Sequence, residues 1–358
     1  MKEIVKKLRR TVDKLPFKLL NWLLAISFFF VLLSIYGKDI LKEIEVGDIA
    51  AWTRTIENLA APILPFFECI VAKILVWIAF IVLFILSVSK AILRPKAIVI
   101  GHSTFSNTQS SYDESIVKGM LIKHREINLV NLMRKQDIIE AIRTQDRVVS
   151  KILRDCDEYT ELFYYGIAHI PLIFRAGYQI GDEGKVRLLH KYRNEQSAFK
   201  EISTKADDFK IELNGKYHQF YKTSNEMLVV VATSFPVSSV DLEVFRNRKI
   251  GHEIRFEMKD QALYGVDSVD SYAVMNRLRT GILSHMRKVV VTEGIERIHL
   301  VLSTSSDFTF FLSQGLSKYH DPEVIVYQYE RSNAQKYPWG ISNKAFPASA
   351  IIRQNKVD

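Results

Sequence analysis

GIERIHLVLSTSSDFTFFLSQGLSKYHDPEVIVYQYERSNAQKYPWGI, residues Gly294 to Ile341, is the stretch that decides the fold. Its apolar run, Arg297 to Leu302, predicts a buried strand that meets a polar loop, Ser303-Thr304-Ser305-Ser306-Asp307. A helix is predicted over Phe308 to Leu316 and a second strand over Val324 to Tyr329. Strand, helix and strand make a βαβ unit. Its first loop offers hydroxyls and helix N-terminal amides, which is where an open α/β sheet takes a ligand phosphate.

Upstream, from Lys96 onward, apolar runs alternate with longer segments of helical period, which argues for an α/β fold. A strand over Lys96 to Ile100 ends in the polar run Gly101 to Asn107. A helix around Asp113 to Leu121, a strand near Ile127 to Leu132 and a long amphipathic helix over Gln136 to Asp155 follow. A strand over Leu162 to Ile167 leads into His169-Ile170-Pro171 and a helix through Tyr178; Val186 to Tyr192 is the next strand. Met227 to Thr233 repeats the opening pattern and ends in the turn Thr233 to Ser239, with a helix start at Asp241. A strand over Ile254 to Met258 and a helix over Tyr272 to Arg287 lead back to the first stretch.

Residues 162–193 are laid out like residues 298–330, so the region reads as two halves, 95–225 and 226–358. A weak duplication of this kind places two sheets side by side, with strand ends facing one shared cleft.

The 358 residues suffice for two or three domains with sizeable cores. Apolar content of 48% and charged content of 25% exclude a disordered chain. A net charge of +9 favours anionic partners, phosphates or lipid headgroups, unless part of it is juxtamembrane charge. Cys69 and Cys156 form neither a disulfide framework nor a zinc spacing, which fits a reducing cytoplasm.

Residues 1–94 read differently. A basic N-terminus precedes Leu19 to Gly37, a run without charge, and predicts a span over about 18–37. A signal peptide competes, but its apolar region is only about 7–15 residues, and Ser34 to Gly37 is a poor cleavage site. A second span is predicted over about 66–89, with Pro62 and Pro65 suiting a helix start. It includes Glu68 and Lys73, which are membrane-effector candidates at membrane depth and merely interfacial if the helix begins late. The loop between the spans is rich in acid, while Lys90, Arg94 and Lys96 flank the second. That asymmetry predicts a multi-pass hairpin with the N-terminus and the large domain cytoplasmic.

Within the large domain, Tyr165-Gly166-Ile167-Ala168-His169-Ile170-Pro171, Ala176-Gly177-Tyr178, His299-Leu300-Val301-Leu302-Ser303, Val324-Ile325-Val326-Tyr327 and Tyr337 resemble the SAVED domain. That domain is a fusion of two CRISPR-associated Rossmann-fold (CARF-like) units, and the resemblance covers roughly the final 260 residues. The closing loop, Ser303 to Asp307, departs from the family's proline and small residues. SAVED proteins are sensors in bacterial cyclic-oligonucleotide antiphage signalling (CBASS). The resemblance implies an inner-membrane effector that binds a cyclic oligonucleotide, most often a trinucleotide, made by a CD-NTase-type cyclase. It implies homo-oligomer assembly, disruption of the lipid membrane and abortive infection. It calls for no cofactor and no DNA or RNA polymer.

A ring of phosphates with outward bases needs amides and hydroxyls, cations and stacking aromatics. Ser103, Thr104 and Phe105 fit on the first opening loop; Ser234, Phe235 and Ser238 fit on the second. Ser303, Thr304 and Ser305 fit on the closing loop of the second half, and Tyr165, Gly166 and His169 take the matching place in the first. Arg193 and Arg331 are phosphate partners, and Tyr329 a stacking ring. Helix capping competes for each hydroxyl, and core or rim packing for each tyrosine. No catalytic set, Gly-rich phosphate loop or metal cluster is legible: His102-Ser103-Thr104 has no second HxT partner, and Asp155 and Asp157 read as solvated or capping. A membrane-tethered ring nuclease, degrading the cyclic signal, is the alternative.

Overall fold

The computed structural model describes residue 74, residues 76–85 and, from 95 onward, all but 107–110, 182–185, 193–197, 205–209, 222–223, 247, 249 and 354–358. The chain divides into two compact units, Met1–Arg94 and Pro95–Asp358.

Two sheets organise the second unit. The first has the order β2-β1-β3-β4-β5, built from β1 (Lys96–Ser103), β2 (Leu121–Asn128), β3 (Thr160–Ile167), β4 (Val186–His190) and the short β5 (Lys200–Glu201). β1 to β4 pair in parallel, and β5 is antiparallel to β4. The second sheet has the order β12-β11-β10-β9-β7-β8-β6. Its parallel centre is β7 (Glu226–Ala232), β8 (His252–Met258), β9 (Arg297–Ser303) and β10 (Glu323–Gln328). β6 (Leu213–Gln219), β11 (Trp339–Ser342) and β12 (Ile351–Arg353) add antiparallel edges. Written by rank within each half, both centres have the strand order 2-1-3-4. That is the duplication expected from the sequence, seen as topology.

The central strands are continuous apolar runs because both faces are covered. On β1, Ile98 and Ile100 enter a core shared by the halves, while Ala97 and Val99 enter a smaller cluster on the opposite face. β7 divides likewise, with Val229 and Val231 on the shared core and Leu228 and Val230 on the other side.

The helices of this unit are α1 (Val130–Arg134), α2 (Ile138–Asp155), α3 (Ile170–Ile180), α4 (Glu243–Arg246), α5 (Tyr272–Glu293) and α6 (Ser306–Gln314). Asp137 caps α2 and Ser271 caps α5, each accepting a backbone N–H one turn on. Gly294 closes α5 in the left-handed conformation that glycine adopts without strain.

The crossover helices α3 and α6, one from each half, pack directly on each other. A Cβ at Gly177 would lie 2.1 Å from Ser313 Oγ and 2.5 Å from the Phe310 carbonyl oxygen, so the helices meet backbone to backbone there. Beside this crossing, Tyr164 of β3 stacks on Phe310 of α6 at 3.9 Å. The buried Arg175 of α3 binds Asp146 of α2 through two nitrogens and the Ser342 and Ala345 carbonyls through a third.

Several expectations are corrected. The helix expected over Asp113 to Leu121 is one 3-10 turn, Glu114–Val117. The strand expected near Ile127 to Leu132 runs Leu121–Asn128, because β2 is an edge strand with largely exposed side chains and no apolar alternation. β6 lies on the N-terminal side of position 226 yet joins the second sheet.

The multi-pass inner-membrane localisation is also corrected: among the described residues no helix is long and apolar enough to cross a membrane. The span expected over 18–37 lies outside the described residues. Of the span expected over 66–89, the helical stretch 76–85 covers about 15 Å of a hydrocarbon core roughly 30 Å thick.

Candidate functional site

A sheet of order 2-1-3-4 opens a crevice where its connections diverge, beyond the C-terminal ends of its first and third strands. The strand order gives this unit two such switch points, each the place for a crevice, at β1/β3 and at β7/β9.

In the first, Ser103 ends β1 and Thr104 follows it. Thr104 Oγ1 accepts the His169 backbone N–H at 3.0 Å and lies 2.7 Å from His169 Nδ1. Phe105 stacks on the His169 ring at 4.6 Å. Burial pushes His169 down to about 4, against a weaker opposing pull from Glu330, so the ring is neutral near pH 7. Gly166 faces His102 on the neighbouring strand, where a Cβ would meet its carbonyl oxygen at 2.2 Å. Its requirement is close strand approach. Tyr165, expected among the ligand-binding residues, is a core residue: it is buried against Tyr112 and Phe199, and its hydroxyl reaches Glu126.

In the second crevice, the Thr233 and Ser234 backbone N–H groups donate to the Ser303 carbonyl at 2.9 and 2.8 Å. The Phe235 N–H donates to Ser303 Oγ at 3.2 Å. The hydroxyls of Thr233, Ser234 and Ser305 are buried and, among the described residues, hydrogen-bond to no protein atom. Ser305 occupies the N-cap of α6 without capping it. Thr304 is turned inward, 2.7 Å from Thr309 Oγ1, and its hydroxyl is corrected from ligand donor to internal contact.

Phe105 and Phe235 hold the same place, just past the first strand of each half, and are 42% and 53% exposed.

The halves exchange contacts at these ends. The first amide of α3, Ile170 N, donates to Gln328 Oε1 at the end of β10, and His169 lies 5.9 Å from Trp339 of β11. Conversely, Asp307 in the first turn of α6 meets His190 at the end of β4, with Oδ2 3.2 Å from Nδ1. Asp267 takes the other side of His190, Oδ1 2.9 Å from Nε2. Burial opposes charge on His190, but the two carboxylates outweigh it and raise it to about 9, so it is a buried cation at neutral pH. The Asp267 loop joins the second crevice through Gly265 N and Ser268 Oγ, both donating to the Thr233 carbonyl. Gln328, His190 and Asp267 were missed from sequence, where no local pattern marks them.

The remaining candidates are peripheral. Ser238 is exposed, and its Oγ accepts the Val240 N–H. Tyr329 is partly exposed and packs edge-on against Tyr337. Arg331 is exposed beyond β10. Arg193, Glu68 and Lys73 lie outside the described residues.

His102 is buried and bonded through Nδ1 to Tyr164, and burial lowers it to about 3. A neutral, enclosed imidazole is no proton shuttle at the crevice. Asp155 pairs with Arg125 and Lys123, and Asp157 with Lys96 and Thr160; each carboxyl is held near 2 by those partners. Among the described residues no group of His, Cys, Asp and Glu is arranged to hold a metal ion.

A family model described as "SAVED: SMODS-associated and fused to various effectors sensor domain" matches residues 144–342. No curated protein matches the chain. Among solved structures, an Acinetobacter baumannii Cap4 SAVED/CARF-domain containing receptor with the cyclic trinucleotide 2'3'3'-cAAA is 12% identical, with a TM-score of 0.48, over 74% of this chain and 58% of that one. The same receptor with 3'3'3'-cAAA matches at 12% identity and TM-score 0.47, over 85% and 64%. A Moraxella osloensis Cap4 receptor matches at 10% identity and TM-score 0.40, over 73% and 58%. The chain thus spans less than two thirds of the length of these structures.

Proposed function

The chain belongs to the SAVED family of sensor domains fused to various effectors, and from that premise we propose that residues 95–358 sense a cyclic oligonucleotide, a cyclic trinucleotide in particular. The observation that carries this reading is the repeated crevice. Each half carries hydroxyl residues at or just past the end of its first strand, then an exposed phenylalanine, and each half starts its crossover helix against the other's fourth strand.

Such an arrangement suits a ring rather than a mononucleotide. The hydroxyls of Ser234 and Ser305 meet phosphate oxygens, with Ser103 and Ser303 beside them. Phe105 and Phe235 stack two bases of one ring, and base–aromatic stacking contributes about 1–3 kcal/mol per base. Tyr329, Arg331, Arg193 and Ser238 are outer contacts. Binding draws the two halves together and favours assembly of several copies, which brings together copies of the unit Met1–Arg94 as the output part in antiphage defence.

The test is equilibrium binding of the full-length chain to a panel of cyclic di- and trinucleotides, including both cAAA linkages, with linear trinucleotides as controls. Saturable binding of a cyclic trinucleotide, recovered intact, is the expected result. Equal binding of linear and cyclic forms, or binding of none, refutes the proposal.

A further inference from the structure

At the other end of the second sheet lies a cavity of about 130 Å³, lined by Phe220, Tyr221, Leu228, Phe245, Arg246, Ile250, His252 and Glu253. Leu228 on β7 lies five residues before Thr233, which follows the strand's last residue, Ala232, and this places the cavity about 17 Å from the β7/β9 crevice.

Glu253 is the informative residue. It is the second residue of β8, paired in register with Leu228 on one side and His218 on the other, and is 3% exposed. Among the described residues its ion-pair contact is a long one, 3.6 Å to Arg255 Nη1. Arg255 is committed elsewhere: Nε and Nη2 bind Glu257 Oε1 at 3.1 and 2.7 Å, Nη1 lies 3.3 Å from Ser239 Oγ, and Nη2 also reaches the Val237 carbonyl. A buried carboxylate is costly unless it accepts good hydrogen bonds. Glu253 therefore presents unmet acceptor capacity to a cavity walled by aromatic rings.

The rest of the lining narrows the occupant. Phe245 is buried, while Phe220 and Tyr221 are about half exposed at the rim. Arg246 is exposed and lines the same cavity. A ligand that fits presents a flat ring with N–H donors at one end and an anion at the other. An apolar cavity of about 150 Å³ holds a whole benzene ring; this smaller one, about 130 Å³ with Phe220 and Tyr221 half exposed at its rim, takes only the edge of a purine's six-membered ring. Guanine places N1–H and its 2-amino group side by side, which matches one carboxylate accepting two hydrogen bonds. Adenine offers a donor beside an acceptor and does not.

We propose that this cavity is a second small-molecule site, for a guanine nucleotide, with the base on Glu253, its ring between Phe220, Tyr221 and Phe245, and its phosphate on Arg246. The site shares no residue with the strand-end crevices, so it stands apart from the cyclic-oligonucleotide reading.

The test is calorimetric titration of the full-length chain with GMP and with AMP. GMP binds saturably, and AMP binds at least about tenfold more weakly, the effect of losing a charge-assisted hydrogen bond. Glu253→Gln weakens GMP by about tenfold or more. Phe220→Ala weakens it with an unchanged melting temperature, and this variant decides the matter if Glu253→Gln does not fold. Absence of GMP binding, equal affinity for GMP and AMP, or undiminished binding in the variants overturns the proposal. So does displacement of GMP by any cyclic oligonucleotide that the chain binds, which would place it in the crevice.

Discussion

His190 Nδ1 stands 3.2 Å from Asp307 Oδ2, and the pair joins the last parallel strand of the first half to the first turn of the second half's crossover helix. Partly exposed Asp267 completes an ion cluster in which one buried imidazolium lies between two carboxylates. Its counterpart, Ile170 N on Gln328 Oε1, is neutral. The two cross-half joints are equivalent in position and unlike in chemistry.

The charged joint makes stability depend on pH. His190 titrates at about 9 when folded, against about 6.5 in an unfolded chain. Its stabilisation is full below 6.5 and is lost as pH rises through 9. His190→Asn leaves Asp267 and Asp307 facing each other and is expected to cost about 3 kcal/mol at pH 6. Urea unfolding at pH 6 and pH 10 checks this, with the gap between wild type and variant closing at the higher pH.

The helix crossing makes a second expectation. Gly177→Ala places a methyl group against Ser313 Oγ and the Phe310 carbonyl. Overpacking of this kind costs roughly 1–3 kcal/mol. Since Ser313 is a side chain that can turn and Phe310 O is backbone, Gly177→Ala with Ser313→Ala regains only part of the loss. Thermal unfolding of the two variants measures it.

The unpartnered hydroxyls separate binding from stability. Ser234→Ala and Ser305→Ala remove groups that bond no protein atom among the described residues. Each is expected to change unfolding free energy by less than about 0.5 kcal/mol while weakening the cyclic ligand several-fold. Thr304→Val is the control: it breaks the contact with Thr309 and lowers the melting temperature.

The exposed rings give the sharpest pair. Phe105→Ala and Phe235→Ala each are expected to weaken a cyclic oligonucleotide by about 5- to 100-fold, the range of base–aromatic stacking. Differential scanning calorimetry of the free variants is expected to show little change, because both rings are about half exposed.

The parallel centre of each sheet was legible because β1, β3, β7, β9 and β10 are buried on both faces and read as unbroken apolar runs. α2 was legible from its amphipathic period. β2 and β6 were not, since edge strands with exposed side chains carry no alternation. Within the site, Phe105, Phe235 and the serines lie at or just past the C-terminal ends of β1, β7 and β9. Tyr165 and Thr304, also expected at the ligand, point into the protein, because a strand sends alternate residues to opposite faces and a loop hydroxyl can turn back on its own helix. His190 with Asp307 and Ile170 with Gln328 are 117 and 158 residues apart, so only tertiary packing reveals them.

On the proposed function, one ring spans both halves. Calorimetric stoichiometry of the full-length chain with the tightest cyclic trinucleotide tests it most directly, in wild type, Phe105→Ala and Phe235→Ala. The expected result is one ring per chain, with both substitutions weakening that same binding event. Two independent sites per chain, or a substitution in one half that leaves affinity untouched, would contradict it.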